Sequence, residues 1–197
     1  AHLVGFSMAI DNNEACYVPI AHSENSPQIE IEKALEVLKE IMEDQGVLKI
    51  LHNKKYDGLV LQKYNISITP YDDTMLISYS IGSGGMRHNL DALSKNYLSH
   101  NAISFKEIAG TGKGQKLFTD IDIDTATKYA AEDADVTLRL WKLLKPRLAK
   151  ERVSSLYETI ERPLAKIIME MEKHGVSVDE KILNRLSEGY GPNSRLM

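Results

Sequence analysis

Two β-prone runs, Leu3 to Ile10 and Ala15 to Ile20, flank the polar turn Asp11-Asn12-Asn13-Glu14, and the segments after them alternate between helical and strand periodicity. A hairpin leading into such alternation buries its apolar faces only by layering, so an α/β protein is expected. Ile31, Ala34, Leu35, Leu38, Ile41 and Met42 recur at helical spacing until Gly46 signals a stop. Val47 to His52 reads as a buried strand, and a further helix is expected from about Tyr56 to Tyr64. Asp73 to Ile81 and Asn89 to Leu98 read as helices on either side of Gly82-Ser83-Gly84-Gly85, and Gly110 to Lys116 reads as a mobile loop. The longest helix is expected from Ile123 to about Leu148, with a bend or an end near Pro146. From Glu151 the pattern changes: a helix around Pro163 to Lys173, Gly175 as its stop, a short Val176-Ser177-Val178, then Asp179 capping another helix.

Composition narrows the classes. Of 197 residues, 43% are hydrophobic and 26% charged, which is the balance of a globular protein rather than a disordered tail. No apolar run approaches the ~20 residues that cross a bilayer, and Ala1 to Ile10 lacks the basic segment and cleavage site of a signal peptide, so no membrane partner and a cytoplasmic place are expected. The lone Cys16 forms no internal disulfide, so the fold rests on its core. A net charge of -4 argues against coating nucleic acid by bulk positive charge, but it is compatible with carboxylates that hold metal ions.

The most informative segment is Tyr129-Ala130-Ala131-Glu132-Asp133-Ala134-Asp135. On a helix, Tyr129 and Asp133 lie four apart and share a face with Val136, Leu140 and Leu143, so an apolar stripe begins with a phenol and a carboxylate. A carboxylate there needs neutralisation, and a divalent metal is one natural partner. The alternatives are that the stripe turns to solvent at this end, or that an arginine pairs with Asp133. A second candidate is Asn53-Lys54-Lys55-Tyr56-Asp57, at the end of an expected strand where open α/β sheets collect functional groups. Its plainer reading is a helix start, with Asn53 as cap and Asp57 suited to the macrodipole. Asp73, Asp120, Asp122 and Asp124 read as acids that precede helices and do nothing more.

Several motifs fail. Asp120, Asp122 and Asp124 are not an EF-hand loop, since Thr125 and Ala131 stand where its glycine and glutamate belong. Gln115 precedes Lys116 where a phosphate-binding loop needs glycine, the six histidines lack ligand spacing, and no Gly-x-Ser-x-Gly elbow occurs.

Five strings taken in order carry a resemblance: His52-Asn53-Lys54-Lys55-Tyr56-Asp57, Asp73-Thr74-Met75-Leu76, Arg87-His88-Asn89-Leu90-Asp91-Ala92-Leu93, Phe105-Lys106-Glu107-Ile108-Ala109-Gly110 and Tyr129 to Asp135. From residue 3 to about 150 the chain resembles the 3′-to-5′ proofreading exonuclease domain of bacterial DNA polymerase I. Ile160 to Leu164 and Gly175 to Asp179 resemble the first helices of the polymerase domain that follows it. The resemblance implies a ribonuclease H-like mixed sheet flanked by helices over 1–150, then a short all-α segment, 151–197, that begins the polymerase domain. It implies a site in which four carboxylates hold two divalent ions, Mg2+ or Mn2+, and hydrolyse the last phosphodiester of a DNA 3′ end. Carried over, Asp133 is expected to ligate the first metal, Asp57 to serve the second, and Tyr129 to orient the attacking water. Asn53, Lys55, Arg87 and Phe105 are expected to contact or stack on a single-stranded or frayed 3′ end. The parent is expected to act at the bacterial nucleoid.

One departure is expected to matter. The family's Asp-x-Glu, on the first and central strand, belongs before Leu3, and Asp11 and Glu14 have the wrong spacing to replace it. Two of four carboxylates and a sheet strand are then absent, and the chain alone is expected to have little activity. Two alternatives stay open: a non-catalytic module that kept the fold, and a stand-alone nuclease acting on RNA like ribonuclease D. Gly191 to Met197 fit neither helix nor core and are expected to be a frayed or appended end.

Overall fold

The computed structural model describes residues 2–82 and 85–189. Expectations for Ser83, Gly84 and the 191–197 end therefore lie outside the described residues. Strands β1 (Gly5–Asp11) and β2 (Glu14–Pro19) form the hairpin, with Gly5 opposite Pro19 and Asp11 opposite Glu14. Asn13 takes the left-handed conformation in its turn at φ 62°. Helix α1 (Ile31–Glu43) buries Ala34 and Leu38, and β3 (Lys49–Leu51) is shorter than the apolar run that announces it.

Helix α2 (Lys54–Gln62) starts two residues earlier than the spacing suggests, because Asn53 adopts φ 64° and starts the helix there. The short strand β4 (Tyr71–Asp73) pairs in parallel with β3 and has no hydrophobic pattern to announce it. Helices α3 (Thr74–Ile81), α4 (Leu90–Leu93, continued by a π turn over Ser94–Leu98) and α5 (Phe105–Ala109) follow. Ser104 and Glu107 cap α5 reciprocally. The glycine and lysine segment expected to be a mobile loop contains a 3-10 turn at Gly112–Gly114.

Helix α6 (Ile123–Lys150) runs through Pro146, which corrects the expected end there. Its buried residues include Ala126, Ala130, Val136, Leu140, Leu144 and Leu148, whereas Leu143, expected on this stripe, is 41% exposed. Straight helices drift from an exact i, i+7 repeat, and the buried face follows Leu140 and Leu144 instead. After α6 come α7 (Ser154–Leu156), a π turn at Tyr157–Glu161, α8 (Arg162–His174) and α9 (Glu180–Gly189). The segment after Glu151 thus holds a turn that the sequence pattern did not announce. Asp179 accepts from the amides of Lys181 and Ile182, as a cap should.

Both antiparallel and parallel pairing occur, as a mixed ribonuclease H-like sheet requires, but among the described residues the strands form two separate pairs, β1–β2 and β3–β4. Helix α6 packs across both. One apolar cluster joins Leu3, Ile20, Ala34, Leu38, Leu61, Ile66 and Ile68, and the other joins Ile77, Leu93, Val136, Leu140, Leu144 and Leu148 with Tyr157.

Candidate active site

Helix α6 presents Tyr129 and Asp133 on one face, where the phenol hydrogen-bonds the carboxyl. Burial pushes Asp133 up to about 7, Tyr129's hydrogen bond works against that rise, and the nearby Asp91 and Glu132 charges add to it. No salt bridge reaches Asp133 among the described residues. The arginine pair therefore does not apply among the described residues, and Asp133 is partly buried rather than turned fully to solvent. Burial and the Asp133 charge also raise the Tyr129 phenol, which stays protonated at physiological pH.

Rings hold Tyr129 in place. Phe105 and Phe118 lie 6.2 and 6.1 Å from it, centroid to centroid, and 6.3 Å from each other. Phe105, expected to stack on a nucleotide, is partly buried and sits against the Ala109, Ile121 and Ala126 core. Phe118 reaches on to Tyr17 and the buried His22 at 6.2 and 5.6 Å. Glu132, beside Asp133, accepts from Ile103 N–H at 2.6 Å and hydrogen-bonds His100 Nε2 at 2.8 Å, which ties the approach to Phe105 onto α6.

The second group lies at the start of α2. Asp57 is pushed up to about 7 by burial and by the neighbouring Asp73 charge. A helix N-terminus alone lowers an acid, so the macrodipole is not what decides its state. Nor does Asn53 cap the helix with its side chain. Asp73 does that work across the chain: Asn53 N–H and Lys54 N–H donate to its two carboxylate oxygens at 3.1 and 2.8 Å. Its Oδ1 also accepts from Met75 N–H at 2.9 Å, so Asp73 does more than precede a helix.

Lys55 pairs with Glu172 of α8, and Arg87 is exposed. His52 Nδ1 lies 2.8 Å from Thr74 Oγ1, which donates to Leu51 C=O. His52 Nε2 is buried without a hydrogen-bond partner among the described residues. Asp73, Asp91, Phe118 and Glu132 were missed as contributors: Asp73 meets Lys54 across 19 residues, Phe118 meets Tyr129 across 11 and Glu132 meets His100 across 32, separations that periodicity does not report.

The structure thus brings Tyr129, Asp133 and Phe105 together, and separately Asn53, Lys55 and Asp57. Among the described residues, no three His, Cys, Asp or Glu side chains stand close enough to form a ready metal cage. Asp57 and Asp133 nevertheless suit a divalent cation, since each offers hard oxygens, is partly buried, and has no ion-pair partner among the described residues.

Comparison with known proteins bears on this arrangement. The sequence model of a family described as 3′-5′ exonuclease matches residues 1–149. A DNA polymerase I of Rhizobium leguminosarum is 47% identical over 95% of the chain, and one of Pseudomonas aeruginosa is 40% identical over 97%. The chain spans about a fifth of the length of these relatives, 20% and 22% respectively. Among solved structures, a nuclease in its apo form superposes with TM-score 0.66 at 18% identity, covering 90% of this chain and 81% of its own. Brucella melitensis NrnC with bound Mg2+ gives 0.59 at 19% identity, covering 82% and 71%. The POL domain of Pol1 from M. smegmatis, in complex with DNA primer-template and dNTP, gives 0.63 at 20% identity, covering 94% and 31%. At such identities these likenesses establish the fold.

Proposed function

The chain belongs to the 3′-5′ exonuclease family found in bacterial DNA polymerase I, and on that premise we propose that Asp57, Tyr129 and Asp133 serve hydrolysis of the terminal phosphodiester at a DNA 3′ end. One observation carries the assignment to these residues: two partly buried carboxyls, on different helices, have no ion-pair partner among the described residues, and burial pushes both up to about 7. Structural acids are ordinarily paired or capping, as Asp72, Asp122 and Asp179 are here. Asp57 and Asp133 are neither. They are the residues that would hold Mg2+ or Mn2+, which when bound supplies positive charge to activate a water and to stabilise phosphate oxygens.

The protein groups have distinct tasks. Asp133, hydrogen-bonded by Tyr129, would hold the ion with its remaining lone pairs. Tyr129 keeps its proton, donates it to Asp133 and is braced by Phe105 and Phe118, so its phenol oxygen would be a fixed acceptor for the attacking water. Asn53 sits at a left-handed turn with its side chain uncommitted to capping, and it and the exposed cation of Arg87 would contact the terminal nucleotide. Phe105 offers a ring edge beside Tyr129. Lys55 engages a phosphate only after leaving Glu172.

The partners in this reading are a single-stranded or frayed DNA 3′ end and a polymerase domain in the same longer protein, in keeping with relatives named DNA polymerase I. Residues 151–197 then begin that domain, and the protein acts in the bacterial cytoplasm at the nucleoid. No helix among the described residues is long and apolar enough to cross a membrane.

The test is a graft. These residues replace the matched segment of the Rhizobium relative, and the product is given a 3′-labelled single-stranded oligonucleotide with Mg2+ or Mn2+. Metal-dependent release of 5′-mononucleotides, lost by at least two orders of magnitude in Asp133→Ala, is expected. Trimming that survives both Asp57→Ala and Asp133→Ala would refute the assignment.

A further inference from the structure

We propose that Tyr157, which lies beyond the exonuclease match at 1–149, is a positioning residue for the exonuclease site: its hydroxyl locks the Asp72–Asp73 peptide that fastens α2 and α6 together. The proposal rests on the exonuclease reading above and names a residue that acts through others rather than on substrate.

The geometry is a chain of buried hydrogen bonds. Tyr157 is 0% exposed, Asp72 1% and Asp73 2%. The phenol donates to Asp72 Oδ1 at 2.9 Å and accepts from the Asp73 N–H at 3.0 Å, so one hydroxyl binds both residues of the dipeptide. Asp72 turns toward α6: its Oδ2 accepts from Trp141 Nε1–H at 2.8 Å, and Lys145 Nζ donates to Oδ1 at 3.1 Å. Asp73 turns toward α2, taking the Asn53 and Lys54 amides. Trp141 stands two helical turns beyond Asp133, and Lys54 begins the turn that carries Asp57. The only covalent link between the two anchors is the peptide that Tyr157 holds.

The strength of the arrangement follows from burial. Burial alone drives Asp72 toward protonation, but hydrogen bonds from Trp141, Lys145 and Tyr157, with the Lys145 charge, hold it below the usual carboxylate range. Arg162, from α8, adds a further contact to its Oδ1 at 3.2 Å. A buried, fully bonded carboxylate cannot shift without stranding several donors, and a buried amide left without an acceptor bears its full desolvation cost. Removing the Tyr157 hydroxyl strands the Asp73 N–H and frees the peptide to tilt. Catalysis by positioned carboxylates is sensitive to such tilts, since ~1 Å of misplacement costs about a hundredfold in rate.

The experiment uses the whole chain. Tyr157→Phe keeps the ring in the core and removes only the hydroxyl, and Trp141→Phe releases the α6 anchor while leaving the α2 anchor intact. Amide hydrogen exchange and Mn2+-induced broadening of backbone amide signals are followed by NMR in both variants and the parent. In Tyr157→Phe, the Asn53 and Lys54 amides are expected to exchange at least tenfold faster, and broadening near Asp57 and Asp133 to need about tenfold more Mn2+. Trp141→Phe is expected to weaken Mn2+ binding with Asn53 and Lys54 exchange unchanged. Exchange unchanged in Tyr157→Phe overturns the proposal; so does faster exchange with Mn2+ binding within twofold of the parent, which leaves Tyr157 a purely structural residue. If Mn2+ broadens neither region of the parent, the metal-site reading falls separately, and the exchange rates alone then decide whether Tyr157 fixes α2.

Discussion

Asp57 and Asp133 pull against the fold when ionised. Their carboxyls stand at about 7 in the folded chain against 3.8 for an unperturbed aspartate, so between those values the folded state holds more protons than the unfolded one. Stability therefore falls as pH rises through that window. We expect the metal-free chain to lose on the order of 2 kcal/mol per carboxyl between pH 5 and 8, read as a lower Tm, and Asp133→Asn to recover its share of that loss at pH 8. A Tm that climbs over this interval contradicts the burial argument. Asp72 has the opposite sign: its folded value lies below 3.8, so its contribution is present above that pH and disappears only in acid. At pH 8, Mn2+ at a hundred times its Kd should restore about 2.7 kcal/mol to the parent and much less to Asp133→Asn, measurable by thermal melts with and without the ion. Asp133 was legible because a phenol and an acid four apart open an apolar helical stripe. Asp73 was not, because its function lies in accepting amides from another helix.

Between elements, the seam of α2 and α8 is a tight place to probe. A Cβ on Gly58 would stand 2.7 Å from Met169 Sδ and 3.6 Å from Lys54 Nζ. Alanine is the better helix former by about 1 kcal/mol, so an open seam makes Gly58→Ala stabilising. With the seam closed, Met169 must shift, and a net loss of about 1 kcal/mol in urea denaturation is expected. Met169 is flexible, which keeps the penalty at the low end. Ser104→Ala, which breaks the capping box of α5, should cost about 1 kcal/mol by the same measurement and loosen the approach to Phe105. Helices α1 and α6 were legible from their stripes, whereas β4 was not. Its Tyr71-Asp72-Asp73 has no apolar alternation, and it is a strand because β3 pairs with it and side chains neutralise its acids.

At the scale of the molecule, residues on both sides of position 150 share one apolar cluster. Tyr157 is buried among Ile77, Leu93, Val136, Leu140 and Leu144, and Lys55 and Gln62 of α2 bond Glu172 and Glu170 of α8. Truncation after Lys150 should therefore uncover the second apolar cluster, at a cost of at least ~3–5 kcal/mol for the lost aromatic alone. Dye binding to exposed apolar surface and a broadened melt would report it. Truncation before Glu180 should change little, since α9 has no buried residue among those described.

The amino-acid sequence by itself determined the layered α/β class, the hairpin, the long helix and the Tyr129–Asp133 pair, because each is written as a local period or a spacing along one element. Tertiary structure decided the rest: that Asp57 and Asp133 are partly buried without an ion-pair partner among the described residues, that Phe118 braces Tyr129, and that Asp72 meets Tyr157 across 85 residues of chain. Those outcomes depend on which surfaces pack together. A carboxylate's partner and protonation state are set by what burial removes and what neighbours supply, and neighbours distant in sequence leave no period to read.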